Sequence, residues 1–145
     1  MQTATHSLSG NHKPYGTRLV LVEDDDSVRC SMTMLLRARG FVIETYRTGR
    51  ELLLAQGQHG GDCLLIDYKM PHIDGIEVMR RLRKREDYTP GIMVTGFYSD
   101  TLRNRALSAG YTNVLEKPAA PKALIKMINK TVLKREERTA SKLPK

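Results

Sequence analysis

Five short runs of apolar residues, none interrupted by a polar one, constrain this chain more than any other feature. They are Leu-Val-Leu-Val at 19–22, Phe-Val-Ile at 41–43, Cys-Leu-Leu-Ile at 63–66, Ile-Met-Val at 92–94 and Val-Leu at 114–115. A strand with one wet face alternates apolar and polar residues. A strand covered on both faces is apolar throughout, so unbroken runs predict a parallel sheet between two layers of helix. The intervening segments supply the helices. Asp26 can cap one over 26–39, with Val28, Met32, Leu35 and Leu36 facing inward and Gly40 as its stop. Further helical segments are expected at 48–55, 74–84, 99–109 and 122–138, the last turning Leu124, Ile125, Ile128 and Val132 to the core.

Strand and helix alternating five times implies right-handed crossovers and an α/β, doubly wound, five-stranded parallel sheet with five helices, in the flavodoxin-like order 2-1-3-4-5. The chain's 145 residues suffice for one domain. The expected organisation is a polar N-terminal tail over 1–16, a domain over 17–138 and a basic C-terminal tail over 139–145. No apolar stretch approaches the roughly 20 residues that cross a bilayer, and the N-terminus lacks the apolar core of a secretory signal. Cys30 and Cys63 lie far apart inside apolar segments, as small buried hydrophobes in a reducing compartment would. The expected location is therefore cytoplasmic, with no membrane partner.

In such sheets ligands bind at the carboxyl ends of the strands, beside the point where strand order reverses. Run one ends in Glu23 and Asp24, run three in Asp67, run four in Thr95, and Lys117 follows run five by one residue. Neighbouring strands are about 4.8 Å apart, so three carboxylates should converge. At an effective dielectric near 20, two such charges about 4 Å apart repel by about 4 kcal/mol, and something must neutralise them. A hard divalent cation such as Mg²⁺ does so with oxygen ligands and can also bind phosphate oxygens. Asp67, between the acidic pair and Thr95, is then placed to act as a nucleophile toward phosphorus. Lys117 offsets charge on the phosphoryl oxygens, and the Thr95 hydroxyl donates to one of them.

The segments Leu21-Val22-Glu23-Asp24-Asp25, Leu65-Ile66-Asp67-Tyr68-Lys69-Met70-Pro71-His72-Ile73-Asp74-Gly75, Val94-Thr95-Gly96 and Glu116-Lys117-Pro118 occur in this order. Together they resemble the receiver domains of two-component response regulators, over roughly 17–138. The resemblance implies that Asp67 is the phosphoacceptor. It also implies that Asp24 and the Lys69 backbone carbonyl bind Mg²⁺ with Asp67, that Glu23 helps through water, that Thr95 senses the phosphoryl group, that Lys117 pairs with it, and that the Lys117-Pro118 bond is cis. Val114 stands where the family often has an aromatic rotamer switch, and that role is not transferred to Tyr98 or Tyr111. Lys69 and Phe97 occupy the two variable positions that tune phosphoryl lifetime in the family, and Gly96 leaves access to the site open.

The expected partner is a sensor histidine kinase or histidine phosphotransfer protein. The expected output is a homodimer or a downstream protein docking on the face of helix 4, strand 5 and helix 5. The chain would be a phosphoacceptor and not an enzyme, hydrolysis of its own aspartyl phosphate apart. With 28 residues after Lys117, too few for a helix-turn-helix domain, a stand-alone receiver is expected.

Rival readings are weaker. A phosphatase with an aspartyl nucleophile wants a second acid two residues on, where Lys69 stands, and a nucleotide site wants glycines after strand 1, where acids stand. A degenerate receiver acting only as a binding module stays an alternative, as does a small basic nucleic-acid module. The formal charge is +8, drawn from Arg80, Arg81, Arg83, Lys84 and Arg85 and from Lys122, Lys126, Lys130 and Lys134. No aromatic residue interleaves with either series, so both are read as solvated helix faces and nucleic acid is disfavoured. Asp74-Gly75 reads as a turn opening a helix, His72 as a surface residue, and Met32 and Met34 as core or adaptable partner surface.

Overall fold

The computed structural model describes residues 16–55 and 60–141. Five parallel strands, β1 (Arg18–Val22), β2 (Val42–Tyr46), β3 (Cys63–Asp67), β4 (Gly91–Thr95) and β5 (Asn113–Glu116), form one sheet in the order β2-β1-β3-β4-β5. Between and after them run α1 (Asp26–Ala38), α2 (Gly49–Leu54), α3 (Gly75–Lys84), α4 (Asp100–Ala109) and α5 (Pro121–Ser141). The expected topology is therefore the observed one.

Period-two alternation sorts the apolar runs between two cores. Val20, Val22, Leu64, Ile66 and Met93 face α2, α3 and α4 and pack with Leu52, Met79 and Ala106. Their neighbours Leu19, Leu21, Cys63, Leu65, Ile92 and Val94 face α1 and α5 and pack with Leu36, Leu124, Ile128 and Val132. All five positions of β3 and of β4 are buried, as central strands require.

Several expectations are corrected. The second strand is Val42–Tyr46, shifted toward the polar residues Glu44 and Thr45. It pairs only with β1 and so lies at the sheet edge, where continuous apolar character is not needed. The cap of α1 is Asp25 and not Asp26: its carboxylate accepts from the Val28 amide at 3.0 Å. Cys63 is buried but Cys30 is exposed, on the outer side of α1. Helix α5 begins with Pro121 at its first position and continues to Ser141, beyond the expected boundary at 138. The calls on residues 1–15 and 142–145 lie outside the described residues.

The basic segment around α3 is only partly a solvated face. Arg83 donates to the carbonyls of Asp87 and Gly110 at 2.7 and 2.8 Å, and Arg85 donates to that of Leu53 at 2.6 Å. Arg83 thus ties α3 to the turns at Asp87 and Gly110, and Arg85 ties its C-terminal end to α2. The four lysines of α5 are all exposed, as expected. Among the described residues no helix is long and apolar enough to cross a membrane.

Candidate phosphoacceptor site

Parallel register sets the site. Val22 pairs with Ile66, Asp67 with Val94 and Thr95 with Glu116, so the residues ending β1, β3, β4 and β5 emerge along one sheet edge. Oxygen atoms of Glu23, Asp24 and Asp67 lie within 4.8 Å of one another. Lys117, whose amide donates to the Thr95 carbonyl at 2.8 Å, reaches back with Nζ to Glu23 Oε1 at 2.7 Å and Asp67 Oδ2 at 3.3 Å. The Lys117-Pro118 bond is cis.

Each acid has a distinct environment. Glu23 is buried, and its second oxygen accepts from the Asp25 amide at 3.1 Å, so its carboxylate is held from both sides. Arg29 donates to the Glu23 carbonyl at 2.9 Å, tying the first turn of α1 to the strand end. Asp24 is exposed. Asp67 has only 11% of its side chain accessible. Burial pushes its carboxyl up from 3.8 to about 6, the charge of Glu23 pushes the same way, and Lys117 only partly opposes them. Burial works against the Lys117 ammonium, yet its hydrogen bond to Glu23 and the charges of Asp67 and Glu23 raise it overall.

This donor set suits a hard cation. Its ligand atoms are all oxygen, they are close enough to share one ion, and Lys117 supplies one positive charge against three carboxylates.

Thr95 is fully buried, and its hydroxyl oxygen accepts from the Phe97 amide at 2.9 Å, leaving the hydroxyl proton to be donated elsewhere. Lys69, two residues past Asp67, is exposed, and its ammonium lies 4.8 Å from the centre of the Phe97 ring. The two variable positions thus touch across neighbouring loops. Gly96 is exposed, and a Cβ there would meet nothing within 4 Å.

Gly75 has a role that a turn signal alone does not convey. The first residue of α3 packs so close to the end of β3 that a Cβ would sit 2.6 Å from the Asp67 carbonyl oxygen. Asp74 caps the helix by accepting from the Glu77 amide at 2.9 Å. His72 is exposed, as expected. Val114 is buried in the core, and the buried Tyr111 donates its hydroxyl to the Gly75 carbonyl at 2.7 Å. This contact was not readable from the sequence, since it joins residues 36 positions apart.

A family model for the response regulator receiver domain matches residues 19–129. The response regulator MprA of Mycolicibacterium vanbaalenii is 35% identical over 108 residues, which are 74% of this chain and 47% of that protein. The transcriptional regulatory protein TrcR of Mycobacterium tuberculosis is 30% identical over 108 residues, 74% of this chain and 42% of TrcR. The chain therefore spans less than half the length of these curated relatives. Among solved structures, a CheY-like response regulator receiver domain protein from Methanospirillum hungatei has a TM-score of 0.79 at 27% identity, covering 85% of this chain and 98% of that one. Chemotaxis protein CheY4 of Vibrio cholerae has a TM-score of 0.75 at 28% identity, covering 80% of this chain and 98% of that one.

Proposed function

This chain belongs to the response regulator receiver family, and on that premise we propose that it accepts a phosphoryl group on Asp67 from a phosphohistidine of a sensor kinase or phosphotransfer protein. The observation that carries the reading is the placement of Asp67. It ends the central strand, nearly buried, with the Lys117 ammonium 3.3 Å away and two further carboxylates beside it.

In the transfer an Asp67 carboxylate oxygen forms a bond to phosphorus as the phosphorus–nitrogen bond of the partner's imidazole breaks. The departing nitrogen keeps the electron pair and takes a proton from solvent. Lys117 holds the carboxylate and faces the phosphoryl oxygens, so its charge offsets theirs as the bond forms. Thr95 has its hydroxyl proton available for a phosphoryl oxygen. Asp24, Asp67 and the Lys69 carbonyl would hold Mg²⁺, with Glu23 acting through water, and the ion would neutralise phosphoryl charge.

The chain is the substrate of this transfer and not a turnover enzyme, and it works in the cytoplasm. Occupation of Asp67 biases the face of α4, β5 and α5 toward a downstream protein or a second copy. The test is intact mass after incubation with acetyl phosphate. One phosphoryl group should be added to wild type in the presence of Mg²⁺, and none after chelation or in Asp67→Asn. Addition to Asp67→Asn at the wild-type rate would remove Asp67 from the role.

A further inference from the structure

Tyr111 is a large side chain with a polar end, buried just before β5 begins. Its amide donates to the Ala106 carbonyl at 3.0 Å, which seats it on the end of α4. Its ring lies against Gly91, where a Cβ would come 3.4 Å from Cδ1. Phe would fill the same space. A buried hydroxyl, however, is costly without a partner, and the Gly75 carbonyl is that partner at 2.7 Å. Gly75 is held at two further points. Its amide donates to the Tyr68 carbonyl at 2.8 Å, closing the 68–74 loop at its base. It also packs on the end of β3 so closely that a Cβ would sit 2.6 Å from the Asp67 carbonyl oxygen.

Of these three contacts, only the one from Tyr111 comes from outside residues 67–75. It ties the base of the loop to the segment joining α4 and β5, 36 positions away in sequence. The loop leaves β3 at Asp67 and carries Lys69, whose carbonyl is proposed above as a Mg²⁺ ligand. Groups that orient metal ligands without touching the ion matter to affinity, and losing one typically weakens binding by about 10- to 100-fold. We infer that Tyr111 is a positioning residue for the phosphoacceptor site. Through Gly75 its hydroxyl fixes the 68–74 loop, and with it the Lys69 carbonyl and Asp67, in the arrangement that binds Mg²⁺. The inference rests on the phosphoacceptor reading and adds to it a residue whose hydroxyl is engaged by backbone and not by the reacting atoms.

The test compares wild type, Tyr111→Phe and Ile128→Val. Ile128 is fully buried in the core on the other side of the sheet, and trimming it by one methylene costs about as much stability as losing one hydrogen bond. It therefore controls for destabilisation alone. Three quantities are measured on the full chain: the Mg²⁺ dissociation constant by calorimetry, amide exchange of residues 68–75 in chelator by mass spectrometry, and the rate of phosphorylation by acetyl phosphate at subsaturating Mg²⁺. Tyr111→Phe should raise the dissociation constant by about three- to tenfold, below the loss for a group that contacts a ligand directly. It should also speed exchange in the loop without metal and slow phosphorylation by a similar factor, with one phosphoryl group still added at completion. Ile128→Val should stay within about twofold of wild type in all three. Equal changes in the two variants would reduce the effect to stability and overturn the positioning role. So would a Tyr111→Phe protein that matches wild type in metal affinity and loop exchange while wild type is phosphorylated on Asp67, an outcome that leaves the phosphoacceptor reading standing. A wild type that neither binds Mg²⁺ nor takes a phosphoryl group would overturn that reading and this inference together.

Discussion

Asp67→Asn should stabilise the metal-free protein near neutral pH. Burial first, and the charge of Glu23 second, push the Asp67 carboxyl from 3.8 to about 6 in the folded chain. The folded state therefore holds this proton more tightly than the unfolded state. Stability from that difference is fully present below the unfolded value, declines as pH rises, and is lost above about 6. At 1.36 kcal/mol per pH unit, a displacement of about two units amounts to about 3 kcal/mol of destabilisation at pH 7.5. Asn carries no charge but also loses part of the Lys117 interaction, so the net gain should be about 1–3 kcal/mol. With a urea dependence of about 1–3 kcal/mol per molar, the unfolding midpoint should rise by about 1 M. The assay is urea unfolding in a chelator at pH 4.5 and 7.5. The variant should gain at the higher pH and lose most of that gain at the lower. Adding Mg²⁺ should stabilise wild type, by about 2.7 kcal/mol at a hundred times its Kd, and the variant less. A variant that is neutral or less stable at pH 7.5 without metal would refute the electrostatic argument for the cluster.

Three other outcomes follow from contacts in and beside the site. Helix propensity alone makes Gly75→Ala favourable by up to about 1 kcal/mol, but the 2.6 Å approach to the Asp67 carbonyl reverses the sign. Thermal unfolding should show a loss of about 2 kcal/mol or more, and phosphorylation by acetyl phosphate should slow. Lys117→Met leaves the buried Glu23 carboxylate without its 2.7 Å partner, and urea unfolding in chelator should show a loss of about 3–5 kcal/mol. Tyr111→Phe removes the donor to the Gly75 carbonyl; chemical denaturation should register about 1 kcal/mol, while the stoichiometry of phosphorylation stays at one.

The central strands were legible because burial on both faces writes itself into sequence as an unbroken apolar run, as in Cys63 to Ile66 and Ile92 to Val94. At the edge that rule fails. Glu44 and Thr45 belong to β2 because backbone pairing with β1 needs no apolar side chain. The acidic cluster could be read because it depends only on which residue ends each strand, and topology then does the rest. What could not be read depends on reach across the fold. Lys117 lies closer to Glu23 than to Asp67. Arg83 and Arg85 look like members of a solvated series until the carbonyls they bind, at Asp87, Gly110 and Leu53, are in place. Cys30 misled because an apolar-looking helix has an outer side, and period alone did not say which side it would take.

Four arginines and the four lysines of α5 divide their tasks. Arg29, Arg83, Arg85 and Arg135 all donate to backbone carbonyls, while Lys122, Lys126, Lys130 and Lys134 stand exposed along α5. Guanidinium offers a rigid fork of donors, whereas a lysine ammonium is a mobile point charge open to acylation. Lysine-directed acetylation would therefore erase much of the positive field on α5 while leaving those arginine clips intact. The electrostatic character of that helix can be rewritten chemically without rewriting the fold beneath it.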